Sequence, residues 1–137
     1  MRPPFWLSHH HPEQYHRCYQ LGGLRLCARC LGTYPVLFGL VAVQLALKAP
    51  LAHPLDWLAV LLVVPATLDW AFGQVHPERF SNLWRSATGA LLGMGLGRTL
   101  YIHLRSPFPV ALWLQLGLVT LVALPVILAT YFRSRRR

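Results

Sequence analysis

The residues best suited to chemistry are three cysteines that lie just before the first long apolar segment. Cys27 and Cys30 are separated by two residues and followed by Gly32. This spacing is typical of a knuckle that brings two sulfurs onto one metal ion. Soft sulfur ligands favour zinc over magnesium or calcium. We therefore predict a zinc site with Cys18, Cys27, Cys30 and His16 as ligands.

The fourth ligand and the role of this site stay open at the level of sequence. The other histidines that could complete it are His9, His10, His11 and His76. Four protein ligands would make the site structural, whereas a water in the fourth position would make it a candidate catalyst. Two further interpretations are a thiol redox pair, because a Cys-x-x-Cys at a helix N-terminus has a lowered thiol pKa, and ordinary buried cysteines.

The composition is that of an integral membrane protein. Of the 137 residues, 55% are hydrophobic and only 12% are charged, whereas soluble domains carry about 25% charged residues. The net charge of +9 would suggest nucleic acid in a soluble protein. Here the arginines flank apolar segments, where they set topology and contact anionic lipid. We therefore expect the lipid bilayer, and not nucleic acid, as partner.

The apolar segments predict an all-α membrane protein, a four-transmembrane-helix bundle with a short Cys/His-rich N-terminal segment. We expect a single membrane domain over residues 1–137. Its predicted parts are a leader at 1–30, spans at about 31–47, 55–72, 84–104 and 110–132, and a basic tail at 133–137. The leader has no apolar core before the cysteines, so we do not interpret it as a cleaved signal peptide.

The distribution of basic residues predicts the orientation. Ten arginines fall in the leader, the middle connector with its edge, and the tail, against three basic residues on the opposite face (Lys48, Arg98 and Arg105). Under the positive-inside rule, both termini and the cysteines lie in the cytoplasm, and the chain is a multi-pass protein of the cell (inner) membrane. Cytoplasmic thiols are kept reduced, which favours metal binding over disulfides.

This topology also predicts a polar cluster at the cytoplasmic end of the bundle. Its members are Arg29, Tyr34, Asp69, Gln74, Asn82 and Arg85. Charges near the hydrocarbon boundary are costly unless they are paired, so we expect Asp69 to pair with Arg85 or with Arg29. Asp69 and Arg85 are also the candidate catalytic residues. At the other end, Asp56 is the natural partner of Arg98.

Three glycines four residues apart, Gly89, Gly93 and Gly97, remove the side chains from one face of the third predicted span. Such a face lets a neighbouring helix approach closely. Packing within the bundle is the simpler interpretation, and a dimer interface is the alternative, so the oligomeric state stays open.

Three blocks of the sequence give a resemblance to a known family. They are Cys27-Ala-Arg-Cys30-Leu-Gly-Thr-Tyr34, Asp69-Trp-Ala-Phe-Gly-Gln74 and Asn82-Leu-Trp-Arg85-Ser-Ala-Thr88-Gly89. In this order they resemble the signature of small prokaryotic multi-pass membrane proteins known as domain of unknown function 2085, over residues 9 to 97. The resemblance implies the membrane architecture and marks the polar cluster as the site. It implies no activity.

The sequence therefore predicts an integral membrane protein of unknown molecular function with a zinc site beside the polar cluster. One alternative is a membrane-embedded metalloenzyme acting on a lipid-linked or amphipathic substrate, with Asp69 as base and Arg85 and Arg29 on an anionic headgroup. Others are a small transporter or channel, or a thiol-redox membrane protein. A protein partner or a small amphipathic ligand is compatible with each. No nucleophilic triad, phosphate-binding glycine loop or dinucleotide fingerprint is present in the sequence.

Overall fold

The structure, a computed structural model, describes residues 12–22, 24–54, 56–76 and 80–135. A short 3₁₀ helix (Pro12–Arg17) leads into two strands, β1 (Cys18–Leu21) and β2 (Leu24–Cys27). Five helices follow: α1 (Ala28–Ala46), α2 (Trp57–Leu61), α3 (Val64–Val75), α4 (Asn82–Arg105) and α5 (Val110–Arg135). The mostly helical architecture agrees with the prediction.

The leader contains a β-hairpin that the sequence analysis does not predict. The two strands are antiparallel, and Cys18 pairs with Cys27 in their register. Gly22 in the turn has φ +53°, a backbone conformation that glycine adopts without steric cost. Helix α1 follows β2 directly, so the first helix begins at Ala28 and includes Cys30.

By length and apolarity, the structure supports three of the four predicted spans. In the described part of the chain, three helical segments are long and apolar enough to cross a membrane: Ala28–Ala46, Trp57–Val75 and Val110–Arg133. Helix α4 has 24 residues, which is long enough, but it does not reach the apolarity of a span. The reason is its composition, since Gly, Arg and Thr replace aliphatic side chains along its buried face.

The second apolar segment is not one continuous α-helix. Leu62 and Val63 keep helical backbone dihedrals, but the regular α-helical pattern is interrupted there, next to Pro65. Proline has no backbone N–H and so removes one helical hydrogen bond. The segment is therefore assigned as α2 and α3, which together form the apolar segment Trp57–Val75 at the position of the predicted span 55–72.

Helices α1 and α4 pack in parallel through their glycines. A Cβ added at Gly89 would lie 2.5 Å from the carbonyl oxygen of Arg29, and one added at Gly93 would lie 2.5 Å from that of Thr33. Gly97 faces the backbone of Leu37 in the same way. The prediction that this glycine face packs within the bundle is confirmed.

Helix α5 is the most exposed of the long helices, and Gln115 attaches it to the rest of the protein. The Gln115 Nε2 donates to the carbonyl oxygens of Ala59 (2.9 Å) and Gly95 (3.3 Å). One buried amide on α5 thus contacts both α2 and α4.

Candidate functional site

The end of the bundle that carries the hairpin, here called the hairpin end, holds the predicted Asp69 ion pair. Arg29 lies in the first turn of α1, and α3 returns to the same end with Asp69. The Arg29 guanidinium pairs with the Asp69 carboxylate. The Asp69 side chain is 1% exposed and that of Arg29 is 24% exposed. Of the two partners predicted for Asp69, the structure selects Arg29.

Two more arginines approach the same place. Arg17, at the end of the 3₁₀ helix, donates through Nη2 to the carbonyl oxygen of Gly73 on α3 (3.0 Å). Arg85, in the first turn of α4, is buried and donates through Nε to the carbonyl oxygen of Phe80 (3.4 Å). Arg85 lies within electrostatic range of Arg17, Asp69 and Arg29. We call these four residues the hairpin-end cluster.

The hairpin-end cluster has an excess of positive charge and of hydrogen-bond capacity. Three guanidinium groups face one carboxylate, which gives a formal charge of +2 (3 − 1). The Nε of Arg17, the Nε of Arg29 and the Oδ1 of Asp69 are buried and have no hydrogen-bond partner among the described residues. Buried polar atoms are usually satisfied, so the described residues by themselves do not complete this site.

The other predicted members of the polar cluster take separate positions. Asn82 Nδ2 donates to the carbonyl oxygen of Cys18 (3.3 Å) and so attaches the start of α4 to the hairpin. Tyr34 is 54% exposed and stacks on Phe38, with ring centroids 6.3 Å apart. Gln74 is exposed at the end of α3. The structure therefore brings Arg29, Asp69 and Arg85 together as predicted and adds Arg17.

The cysteines are neighbours, but the predicted zinc ligands do not assemble. Cys27 lies opposite Cys18 in the hairpin, and its thiol is close enough to that of Cys30 for the two to interact. Within the described ranges, no group of three or more Cys, His, Asp or Glu side chains could hold a metal ion. His16 and His76 are exposed, and the alternative ligands His9, His10 and His11 lie outside the described residues.

The Cys18 thiol is in an environment that disfavours the thiolate. Its pKa is raised, mainly by burial and then by the neighbouring Cys27, and Arg25 offsets this in part. All three cysteines are free thiols. A zinc ligand must be a thiolate, so a zinc ion bound here would have to displace their protons.

The opposite end of the bundle, here called the far end, holds the second predicted ion pair. Arg98 donates through Nε to Asp56 Oδ1 (2.7 Å), through Nη1 to Gln44 Oε1 (3.0 Å) and through Nη2 to the carbonyl oxygen of Pro50 (2.9 Å). Asp56 Oδ2 accepts from the backbone N–H of His53 (2.8 Å). We call Gln44, Pro50, Asp56 and Arg98 the far-end clamp, and the predicted pairing of Asp56 with Arg98 is confirmed.

The electrostatic balance at Asp56 follows from these contacts. Burial by itself would raise the pKa of the carboxyl group. The hydrogen bonds from Arg98 and from the His53 backbone, together with the charge of Arg98, outweigh burial and lower the pKa below its ordinary value.

Long apolar helices and buried ion pairs define an integral membrane protein. The chain belongs to the family described as "Predicted membrane protein (DUF2085)", whose model matches residues 10–99. The match includes all four residues of the hairpin-end cluster, whereas α5 lies beyond it. No curated protein and no solved structure matches this chain.

Proposed function

We propose that this protein binds the phosphate group of an anionic amphiphile at the hairpin-end cluster. The observation that carries the proposal is the arginine-rich make-up of this cluster. Arg17, Arg29 and Arg85 lie near Asp69, and the buried Nε atoms of Arg17 and Arg29 have no hydrogen-bond partner among the described residues. Guanidinium groups match phosphate oxygens in geometry and charge and are the side chains most suited to binding them in partly buried sites.

The backbone at this end supports an anion as well. Helices α1 and α4 both begin at the hairpin end, and neither has an acidic residue in its first turn. Helix N-termini carry a partial positive charge and attract anions. Since Arg29 and Arg85 lie in these first turns, side-chain and helix-dipole charges have the same sign here.

The position of the site relative to the membrane depends on α4, which we propose as a fourth membrane-crossing helix. It runs parallel to α1 in direct backbone contact from Gly89 to Gly97. Its 24 residues correspond to about 36 Å at 1.5 Å per residue. Arg85 is buried, Arg98 is paired, and the exposed Arg105 is the last residue of the helix. This arrangement allows a helix of low apolarity to cross beside α1.

For the orientation, we propose a multi-pass protein of the cell (inner) membrane with both termini in the cytoplasm. The support is the arginine asymmetry of the sequence under the positive-inside rule. In this orientation the hairpin-end cluster lies at the headgroup level of the inner leaflet. The phosphate would then belong to a lipid or lipid-linked molecule of that leaflet.

A zinc site, a metalloenzyme and a transporter are less favoured than the binding of an anionic headgroup. The contact of Cys27 with both other cysteines supports a metal near the hairpin, and zinc analysis of purified wild-type protein and Cys30→Ser would decide it. Among the described contacts, none favours a metalloenzyme or a transporter over simple headgroup binding. Arg29 and Arg85 would hold the headgroup in any of these cases.

The proposal is tested by lipid binding to the full-length protein in detergent. We would count bound phosphatidic acid and phosphatidylcholine of identical acyl chains by native mass spectrometry, for wild type and for Arg17→Gln. In Arg17→Gln, the loss of one charged hydrogen bond to the phosphate should weaken phosphatidic acid binding about tenfold. Added inorganic phosphate that displaces the lipid would identify free phosphate as an equal ligand.

The matched control is Arg133→Gln, an exposed arginine near the end of α5 with the same charge change. It should leave the affinity for phosphatidic acid within about twofold of wild type, because exposed charges are screened. Equal binding of both lipids, or an equal loss in Arg17→Gln and Arg133→Gln, would overturn the proposal.

A further inference from the structure

A small cavity between α1, α4 and α5 is lined by none of the residues of the hairpin-end cluster or the far-end clamp. Its volume is about 260 Å³. The apolar part of the wall consists of Leu37, Leu96, Leu100 and Leu112. The polar part consists of Thr99, Gln115 and His103. No lining residue is acidic or a permanent cation, so a charged ligand would be desolvated without compensation.

Gln115, which lines this cavity, has an unsatisfied acceptor in its side-chain amide. Its Nε2 is committed to two carbonyl oxygens, those of Ala59 and Gly95, and this fixes the orientation of the amide. Its Oε1 is buried and has no partner in the described part of the chain. The residue as a whole is only 3% exposed.

Thr99 presents an unsatisfied hydroxyl for a related reason. Three other buried threonines, Thr33, Thr67 and Thr88, each donate to a carbonyl oxygen of their own helix. The carbonyl oxygen four residues before Thr99 is that of Gly95, and it already accepts from Gln115 Nε2. The Thr99 Oγ1 is buried without a partner among the described residues.

We propose that this cavity binds a neutral molecule with a hydroxyl group on an apolar body, taken up from the bilayer. A hydroxyl group is both donor and acceptor. It can donate to Gln115 Oε1 and accept from the Thr99 hydroxyl, and so satisfies both buried atoms at once. A cavity of roughly 150 Å³ already holds benzene, so a phenol-sized group has room here.

His103, which lines the cavity, is oriented by a backbone contact. Its Nδ1 accepts a hydrogen bond from the backbone N–H of Phe108 (3.0 Å). With Nδ1 used as an acceptor, only Nε2 of the ring is left to contact a ligand.

The test uses two probes of nearly equal shape, 4-fluorophenol and fluorobenzene, which differ by the hydroxyl group. Binding to the full-length protein in detergent is followed by ¹⁹F NMR for wild type, Thr99→Val and the control Thr67→Val. Thr67 is buried but lies outside the cavity, and its hydroxyl bonds to Val63 of its own helix. The saturable signal, rather than partition into micelles, is the quantity compared.

We expect wild type to bind 4-fluorophenol about five- to tenfold more tightly than fluorobenzene, the value of one net hydrogen bond. Thr99→Val should remove most of this preference by weakening the phenol alone, and Thr67→Val should retain it. Equal affinity for both probes in wild type, an unchanged preference in Thr99→Val, or no saturable binding because water alone fills the cavity would each overturn the proposal.

Discussion

The two ends of the bundle each hold an arginine–aspartate pair, and the pairs differ in how completely they are satisfied. At the far end, one arginine meets one aspartate, and the Nε and both Nη atoms of Arg98 each donate to an acceptor. At the hairpin end, three arginines meet one aspartate, and buried atoms of Arg17, Arg29 and Asp69 have no partner in the described ranges.

This difference separates a structural contact from a candidate binding site. The far-end clamp holds the connector at Pro50 and the start of α2 against α4, and its charges cancel. The hairpin-end cluster has the same kinds of residue but a surplus of positive charge among its four members, and the Nε atoms of Arg17 and Arg29 have no hydrogen-bond partner in the described part of the chain. A membrane protein has little reason to hold such a surplus near hydrocarbon unless an anion compensates it.

Removal of the single carboxylate of the hairpin-end cluster should have the largest effect. Asp69→Asn removes the carboxylate that pairs with Arg29, and breaking a buried pair in this way costs about 3–5 kcal/mol. Thermal unfolding in detergent should show a large loss of stability, and phosphatidic acid should restore part of it. Asp56→Asn at the far end, where the carboxylate is 26% exposed, should cost about 1–2 kcal/mol.

If the two asparagine variants lose equal stability, or if phosphatidic acid rescues both of them alike, the contrast between the ends is wrong. Should Asp69→Asn fail to fold without lipid, its yield when purified with phosphatidic acid or with phosphatidylcholine provides the same comparison.

Removal of the far-end arginine should have the next largest effect and should not depend on anions. Arg98→Met leaves Asp56, Gln44 and the Pro50 carbonyl without their donor, at a cost of about 2–3 kcal/mol. Arg98→Lys keeps the charge but not the planar guanidinium that donates to three acceptors. It should therefore recover less than half of the stability lost in Arg98→Met. Arg105→Met, at an exposed arginine on α4, is the control, and anion-dependent stability in Arg98→Met would contradict the assignment.

Both ion pairs could be predicted from the sequence because the bilayer makes unpaired charge expensive. Asp56, Asp69, Arg85 and Arg98 lie within or beside apolar segments, and the up-and-down order of the helices decides which of them share an end. The choice of Arg29 rather than Arg85 for Asp69 depends on side-chain packing, which helix order does not determine.

The sequence analysis does not predict Arg17 as a member of the cluster, because it does not predict the hairpin that positions this residue. Nothing local indicates that this arginine contacts Gly73, which is 56 residues away in the sequence. A signal was present, however, since two short runs rich in Leu, Tyr and Cys flank Gly22-Gly23, and a Gly-Gly pair between such runs is a hairpin pattern.

For α4, the composition argues against a membrane span, whereas the packing places the helix directly against α1. Gly89, Gly93 and Gly97 lower the apolarity of α4, and the same residues allow its backbone to contact α1. The unsatisfied Thr99 hydroxyl could not be predicted at all, because it depends on Gln115 of another helix occupying the Gly95 carbonyl.

The pH dependence of the far-end clamp should be a smaller effect with a definite sign. The pKa of Asp56 is lowered in the folded state. Its contribution to the free energy of unfolding is therefore present above its unfolded pKa of about 3.9 and is lost as the pH falls through the folded value. The advantage of wild type over Asp56→Asn, about 1–2 kcal/mol at pH 7, should shrink towards zero between pH ~5 and ~3.

Taking the difference between wild type and Asp56→Asn at each pH removes the titration of groups that both proteins share. The charged and titratable groups that face Asp56 are Arg98 and His53, and both are the same in the two proteins. An advantage that stays constant down to pH ~3 would mean that the clamp does not depend on the ionised carboxylate.

The smallest effect on stability should come from Arg17→Gln, and it is the sharpest comparison with Arg98. Without an anion, the loss of one hydrogen bond to the Gly73 carbonyl is offset by weaker repulsion among Arg17, Arg29 and Arg85. Stability should stay within about 0.5 kcal/mol of wild type, whereas Arg98→Met is strongly destabilised. With phosphatidic acid, wild type should gain more stability than Arg17→Gln, because a ligand stabilises the folded state in proportion to its affinity. A large loss in Arg17→Gln without any anion would instead make this arginine a structural contact like Arg98, and the two ends of the bundle would then have the same role.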